Sequence, residues 1–189
     1  MWLSVSFGSG RPDAGFRTSE RRRRCRERLG EGTKTFASEP ETEQMDTVGP
    51  SRFTGGCACG ALRYESSGPP IAMVNCHCRD CQRAGGSGYS PTIVVRRASF
   101  GVTHGVPTYY QCTSQSGNTA RRAFCGLCGS PLFASSSARP DFVGIRAGSL
   151  DDPSWFRPTS EVWTQSAQPW DLLQPDTIKY ERDSKRASA

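Results

Sequence analysis

The stretch Cys76-His77-Cys78-Arg79-Asp80-Cys81 places three thiols within six residues, spaced Cys-x-Cys-x-x-Cys. One bent loop can bring all three sulfurs to a single point. Zinc bound by thiolates needs sulfur about 2.3 Å away in tetrahedral geometry, and cysteines clustered on a turn supply that. Two further clusters flank this one, Cys57-Ala58-Cys59-Gly60 and Cys125-Gly126-Leu127-Cys128-Gly129. Together they hold seven thiols, one short of two complete four-cysteine sites.

Outward from the clusters the chain alternates as strands do. Ala61–Glu65, Thr92–Val95, Thr108–Cys112, Thr119–Phe124, Pro131–Ala134, Asp141–Ala147 and Glu161–Thr164 are strand candidates, and Ile71–Asn75 is a short apolar run that delivers the chain to Cys76. Turn chemistry separates them, as in Ser66-Ser67-Gly68-Pro69-Pro70 and Gly148-Ser149-Leu150-Asp151-Asp152-Pro153. No segment sustains a helical period, and no internal repeat appears. The expected fold is all-β, one domain over residues 48–182 with a polar tail at 183–189.

Composition agrees with a loop-rich protein. Hydrophobic residues make up 35% of the chain, with Gly 20 and Pro 13, so the core is small for the length and gains from a metal staple. The net charge of +6 is spread along the sequence, and nucleic-acid binding, which needs a dense basic stripe with aromatic platforms, is not indicated. No run approaches the ~18 apolar residues of a membrane span, and no secretory leader is apparent at Met1–Phe7. The expected setting is cytoplasmic, where paired Cys-x-x-Cys spacings read as metal sites rather than disulfides. Residues 1–47 stand apart as an Arg-rich extension expected to be disordered, since 7 Asp/Glu and 9 Lys/Arg in 1–45 leave few apolar groups. A true start at Met45 would make most of this segment upstream sequence without a role, the reading favoured here over a nucleic-acid arm.

The clusters differ in ligand count. Cys57, Cys59, Cys125 and Cys128 form one complete set, each pair followed by a glycine (Gly60, Gly129) able to take the positive φ of a knuckle turn. A closed four-thiolate site is structural. Cys76, Cys78 and Cys81 supply only three ligands. The fourth could be His77, Cys112, His104, water or a substrate atom. Water or substrate would make the site an open, catalytic one; Cys112 would close it. Arg79, Arg83, Arg121 and Arg122 lie near the clusters in sequence, where cations favour thiolate.

Three motifs resemble the glutathione-dependent formaldehyde-activating enzyme family, which includes the centromere protein V branch. They are Gly55-Gly56-Cys57-Ala58-Cys59-Gly60-Ala61-Leu62-Arg63-Tyr64, Cys76-His77-Cys78-Arg79-Asp80-Cys81-Gln82-Arg83 and Arg122-Ala123-Phe124-Cys125-Gly126-Leu127-Cys128-Gly129-Ser130-Pro131-Leu132. The resemblance implies an Mss4-like fold of twisted antiparallel sheets with two zinc ions. It places Cys57, Cys59, Cys125 and Cys128 on the structural ion and Cys76, Cys78 and Cys81 on the catalytic, more labile one. It further implies a carbon–sulfur lyase that joins glutathione to formaldehyde, or reverses that step. The other class of function compatible with the motifs is a zinc-stabilised binding module for a protein or nucleic-acid partner.

Overall fold

The computed structural model describes residues 49–184; the Arg-rich extension and residues 185–189 of the tail lie outside them. The described chain is mostly β. Its strands are β1 (Phe53–Gly56), β2 (Arg63–Ser66), β3 (Ala72–Cys76), β4 (Ser90–Arg96), β5 (Phe100–His104) and β6 (Thr108–Thr113). They continue with β7 (Thr119–Phe124), β8 (Pro131–Ser136), β9 (Arg139–Arg146), β10 (Ser160–Val162) and β11 (Ile178–Tyr180), and one helix, α1 (Arg79–Gly85), follows β3. Three strands pair in the order β1-β2-β5, and the other eight in the order β11-β10-β3-β4-β9-β8-β7-β6. Neighbours are antiparallel except at one edge, where β10 runs parallel to both β3 and β11.

Period-two alternation decides which face is core. Ile93 and Val95 of β4 and Val143 and Ile145 of β9 are buried in one cluster with Phe53 and Tyr64 of the smaller sheet and Leu62 just before β2. Phe100 and Phe133 meet edge to face across it at 4.7 Å. The intervening residues Thr92, Val94, Gly144 and Arg146 line a cavity of about 250 Å³ on the other face.

Tyr64 ties the sheets at a polar point. Its ring is buried and its hydroxyl lies 2.7 Å from Ser149 Oγ. Gly55 packs against that hydroxyl so closely that a Cβ there would lie 2.2 Å from Tyr64 Oη and 2.4 Å from the Ser149 carbonyl oxygen.

The expected strands are present, with five additions, among them β1 and β3, each of which runs directly into a cysteine cluster. α1 has seven residues and a single buried one, Gln82, too short to print a period. β5 carries Gly101 and is almost wholly exposed, so no alternation marks it. β11 has three residues and gains its place from pairing with β10. The expected strand at Glu161–Thr164 stops earlier, because Trp163 takes the left-handed conformation at φ 61°. Among the described residues, no helix is long and apolar enough to cross a membrane.

Gly55→Ala should lower stability by about 1–3 kcal/mol through overpacking, whereas Gly101→Ala, with nothing within 4 Å of its added Cβ, should leave it near wild type. Thermal denaturation of the two variants side by side checks this, and equal midpoints would contradict it.

Candidate metal centres

The first cluster joins two distant turns. Cys57 and Cys59 lie between β1 and β2, and Cys125 and Cys128 between β7 and β8. Both knuckles use their glycine as expected, Gly60 at φ 76° and Gly129 at φ 75°. Amides turn toward the sulfurs, with Leu62 N–H donating to Cys57 Sγ at 3.2 Å. Ala58 N–H donates to Ser130 Oγ at 3.1 Å and bridges the turns. All four sulfurs lie within 4.8 Å of one another, with Cys57–Cys59 at 3.5 Å and Cys59–Cys125 at 3.8 Å. A tetrahedron of sulfurs around zinc has edges of about 3.8 Å, so the set fits such a cation.

Proton sharing within the cluster is uneven. Hydrogen bonds from the Ser130 side chain and backbone and from the Cys59 backbone amide hold Cys128 down at about 5. Cys59, although lowered by the Ala61 amide, is pushed up to about 12 by Cys57 and Cys128. Without a cation among them the four sulfurs cannot all be thiolates at neutral pH. Metal binding would therefore release protons.

The second cluster sits at a strand-to-helix corner. Cys76 ends β3, Cys78 caps α1 and Cys81 lies in its first turn. Cys78 Sγ takes the place of the usual capping oxygen and accepts from Cys81 N–H at 3.4 Å. The three sulfurs lie within 4.8 Å of one another, and among the described residues no fourth His, Cys, Asp or Glu joins them. Hydrogen bonds with Cys76 and Cys78, aided by the Arg146 guanidinium, pull the Cys81 thiol down to about 2. Cys76 is pushed well above the ordinary thiol range by Cys78, Cys81 and burial. The trio thus loses its first proton readily and holds the rest.

The proposed fourth ligands lie elsewhere. His77 turns its ring away from the sulfurs: Nδ1 is 3.0 Å from Asp171 Oδ2 and Nε2 3.3 Å from Glu161 Oε2. His77 and Glu161 are both 1% exposed, and the Nε2–Oε2 approach lacks the alignment of a hydrogen bond. Cys112 Sγ accepts from Arg122 Nη1 at 2.9 Å and is not part of the cluster. His104 ends β5, a strand of the smaller sheet.

Cations near the trio also differ from the sequence expectation. Arg79 bonds Gln82 Oε1, and Arg121 stacks on Tyr109 with its guanidinium carbon 3.6 Å from the ring centroid. Arg83 borders a separate cavity with Cys112. Arg146, which no motif singled out, places Nη1 3.9 Å from Cys81 Sγ while donating to Ser90 Oγ and, at 3.4 Å, to Thr92 Oγ1. Arg122 and Arg146 line the 250 Å³ cavity together with Cys76 and Cys81. The alternation of Val143, Ile145 and Arg146 carried the signal for Arg146, since a residue next to a core position must face the opposite side. Glu161, Asp171 and Gln82 carried none, being separated from the cluster by up to ninety residues or hidden in a short helix.

Comparison with known proteins supplies the context. A family model described as glutathione-dependent formaldehyde-activating enzyme matches residues 52–166. A crystal structure of a protein from Rhodobacter sphaeroides aligns with 67% of this chain and 98% of that chain, at 21% identity and a TM-score of 0.45.

Replacing His77 by Leu removes the partner of two carboxylates in one step. His77→Leu should destabilise the fold by roughly 3–5 kcal/mol, and adding Glu161→Gln should recover part of that loss. Chemical denaturation of both variants checks this. A single variant as stable as wild type would show that the imidazole is not what the carboxylates depend on.

Proposed function

Because the chain belongs to the glutathione-dependent formaldehyde-activating enzyme family, we propose that it adds the thiol of glutathione to formaldehyde and catalyses the reverse cleavage. It is then a carbon–sulfur lyase, with S-hydroxymethylglutathione as the adduct. Two zinc ions serve it: a structural one held by Cys57, Cys59, Cys125 and Cys128, and a catalytic, exchangeable one held by Cys76, Cys78 and Cys81. The observation that carries this reading is the three-sulfur group without a fourth side chain, bordering a cavity that Arg146 also lines.

Zinc bound by three thiolates would keep a thiol substrate ionised near neutral pH and so supply the nucleophile. The chain's own residues do the rest. In the forward direction the thiolate sulfur forms a bond to the aldehyde carbon, the C=O π pair moves to oxygen, and that oxygen takes up a proton. Charge grows on the oxygen and needs a donor beside it. Arg146 fits that role. Nη1 is committed to Ser90, Thr92 and Cys81, while Nη2 makes no hydrogen bond among the described residues. Ser90 and Thr92 fix the guanidinium so that little reorganisation accompanies reaction. The Glu161–His77–Asp171 contacts hold the backbone between Cys76 and Cys78, and Gln82 donates to the His77 carbonyl at 2.6 Å. These groups position the sulfurs without touching substrate.

Exchange of formaldehyde with glutathione, followed by NMR against an enzyme-free control, tests the reaction. The intact protein should exceed the control. Cys78→Ser should abolish the excess while leaving a folded protein, Arg146→Gln should reduce it by about 100-fold, and Cys125→Ser should lose the fold. Metal analysis should give two zinc equivalents, one removed by a mild chelator. No excess over the control, or equal loss of fold in the two cysteine variants, would overturn the assignment.

A further inference from the structure

Arg122 stands out among the groups around the trithiol cavity because its charge has no evident partner. It is half-buried on β7 and lines the cavity that holds Cys76 and Cys81. On the β8 side its neighbours across the sheet are Ala134 and then Gly144, so that flank is built of small residues, while Tyr110 lies opposite it on β6. Its hydrogen-bond partner is the Cys112 sulfur. Among the described residues, no carboxylate lies within 4 Å of it. Asp80 borders a neighbouring cavity of about 330 Å³ with Arg122, but its carboxylate accepts from Gln115 N–H at 2.7 Å. The rim residue Arg139 is already paired with Asp183 at 3.5 Å.

Charge accounting around the centre isolates Arg122 further. A dication with three thiolates carries −1, and Arg146 beside Cys81 offsets that. Arg122 is surplus. A partly desolvated guanidinium without a counter-ion is unfavourable unless an anion arrives from outside. Arg122 also borders both the trithiol cavity and the 330 Å³ cavity, where Arg83 is a second cation. A ligand with sulfur at the trio and a carboxylate several bonds away would reach it.

We propose that Arg122 is the residue that reads a carboxylate of the thiol substrate, selecting anionic peptide thiols over neutral ones. This rests on the lyase reading above and adds the element of substrate choice. A guanidinium fork matches a carboxylate in plane and charge, and a hydrogen bond to an ionised partner is stronger than a neutral one. Arg122 accordingly governs binding more than the bond-forming step.

The test uses S-methylglutathione, which keeps both carboxylates and cannot react, and its diethyl ester, which has neither. Calorimetry on the full-length zinc-loaded protein should show the acid binding at least about 10-fold more tightly than the ester. Arg122→Gln should weaken binding of the acid by about 10- to 100-fold and erase the preference, while Arg122→Lys should restore part of it. With the wild type as reference, Arg122→Gln should raise KM for glutathione with little change in kcat, and leave KM for 2-mercaptoethanol alone. An unchanged acid-over-ester preference in Arg122→Gln, or no binding of either probe to wild type, would overturn the inference. Carboxylate-dependent binding without any lyase activity would leave Arg122's role standing and sink the reaction. Equal acceleration with glutathione, its ester and 2-mercaptoethanol would do the reverse.

Discussion

Four sulfurs separated by the edge length of a small tetrahedron cannot all be charged without a cation between them, and this constraint organises the molecule. The turn after β1 and the turn after β7 belong to different sheets, and the sulfurs of Cys57, Cys59, Cys125 and Cys128 bring them to one point. Apolar contacts alone have limited reach here. The strands are short, the core rests on a few aliphatic pairs from β4 and β9, and an aromatic group around Phe133 completes it. A cation at this junction would couple the sheets at the place where the loops are least able to do so by packing.

Once the sheets are fixed, strand alternation does two jobs at once. Ile93, Val95, Val143 and Ile145 form the core because they occupy one face of adjacent strands. Thr92, Val94, Gly144 and Arg146 face the opposite side for the same reason and become a cavity wall. The register of β4 on β9 sets Thr92 opposite Arg146, and that of β3 on β4 sets Cys76 opposite Ser90. Arg146 therefore comes within reach of Cys81 through pairing laid down several strands away. A slip by one residue would send the guanidinium toward the core and isoleucine toward the sulfurs.

Much of this was legible in the sequence, and the reasons for the gaps are physical. The three clusters, their glycines and most strands announced themselves through spacing and alternation, which are local. Helix α1 did not, because seven residues capped by a thiol carry neither a period nor an oxygen-bearing cap. Strand β5 is exposed on nearly every residue, and β11 exists because β10 offers it an edge. The contact of His77 with Glu161 and Asp171 spans most of a hundred residues and depends on the parallel placement of β10 beside β3. His77 was one candidate for the fourth ligand; that its ring meets Glu161 and Asp171 instead is a property of the tertiary fold. Arg79 and Arg83 were favoured for their nearness in sequence, but α1 directs Arg79 to Gln82 and leaves Arg83 exposed.

The two clusters share a donor type, so any difference in their chemistry must come from count and setting. Four thiolates around a dication leave −2 and no free coordination position, a combination suited to a clamp. Three leave −1 and one position, and here the surroundings supply cations instead of a fourth anion. Arg146 approaches Cys81, and Arg122 borders the same cavity without a carboxylate of its own. On the proposed reaction, sulfur must arrive as an anion and oxygen must leave the aldehyde state as one. A site with surplus positive charge favours both, where a closed tetrathiolate site would repel both. The missing eighth cysteine and the unpaired arginine are then two sides of one electrostatic arrangement.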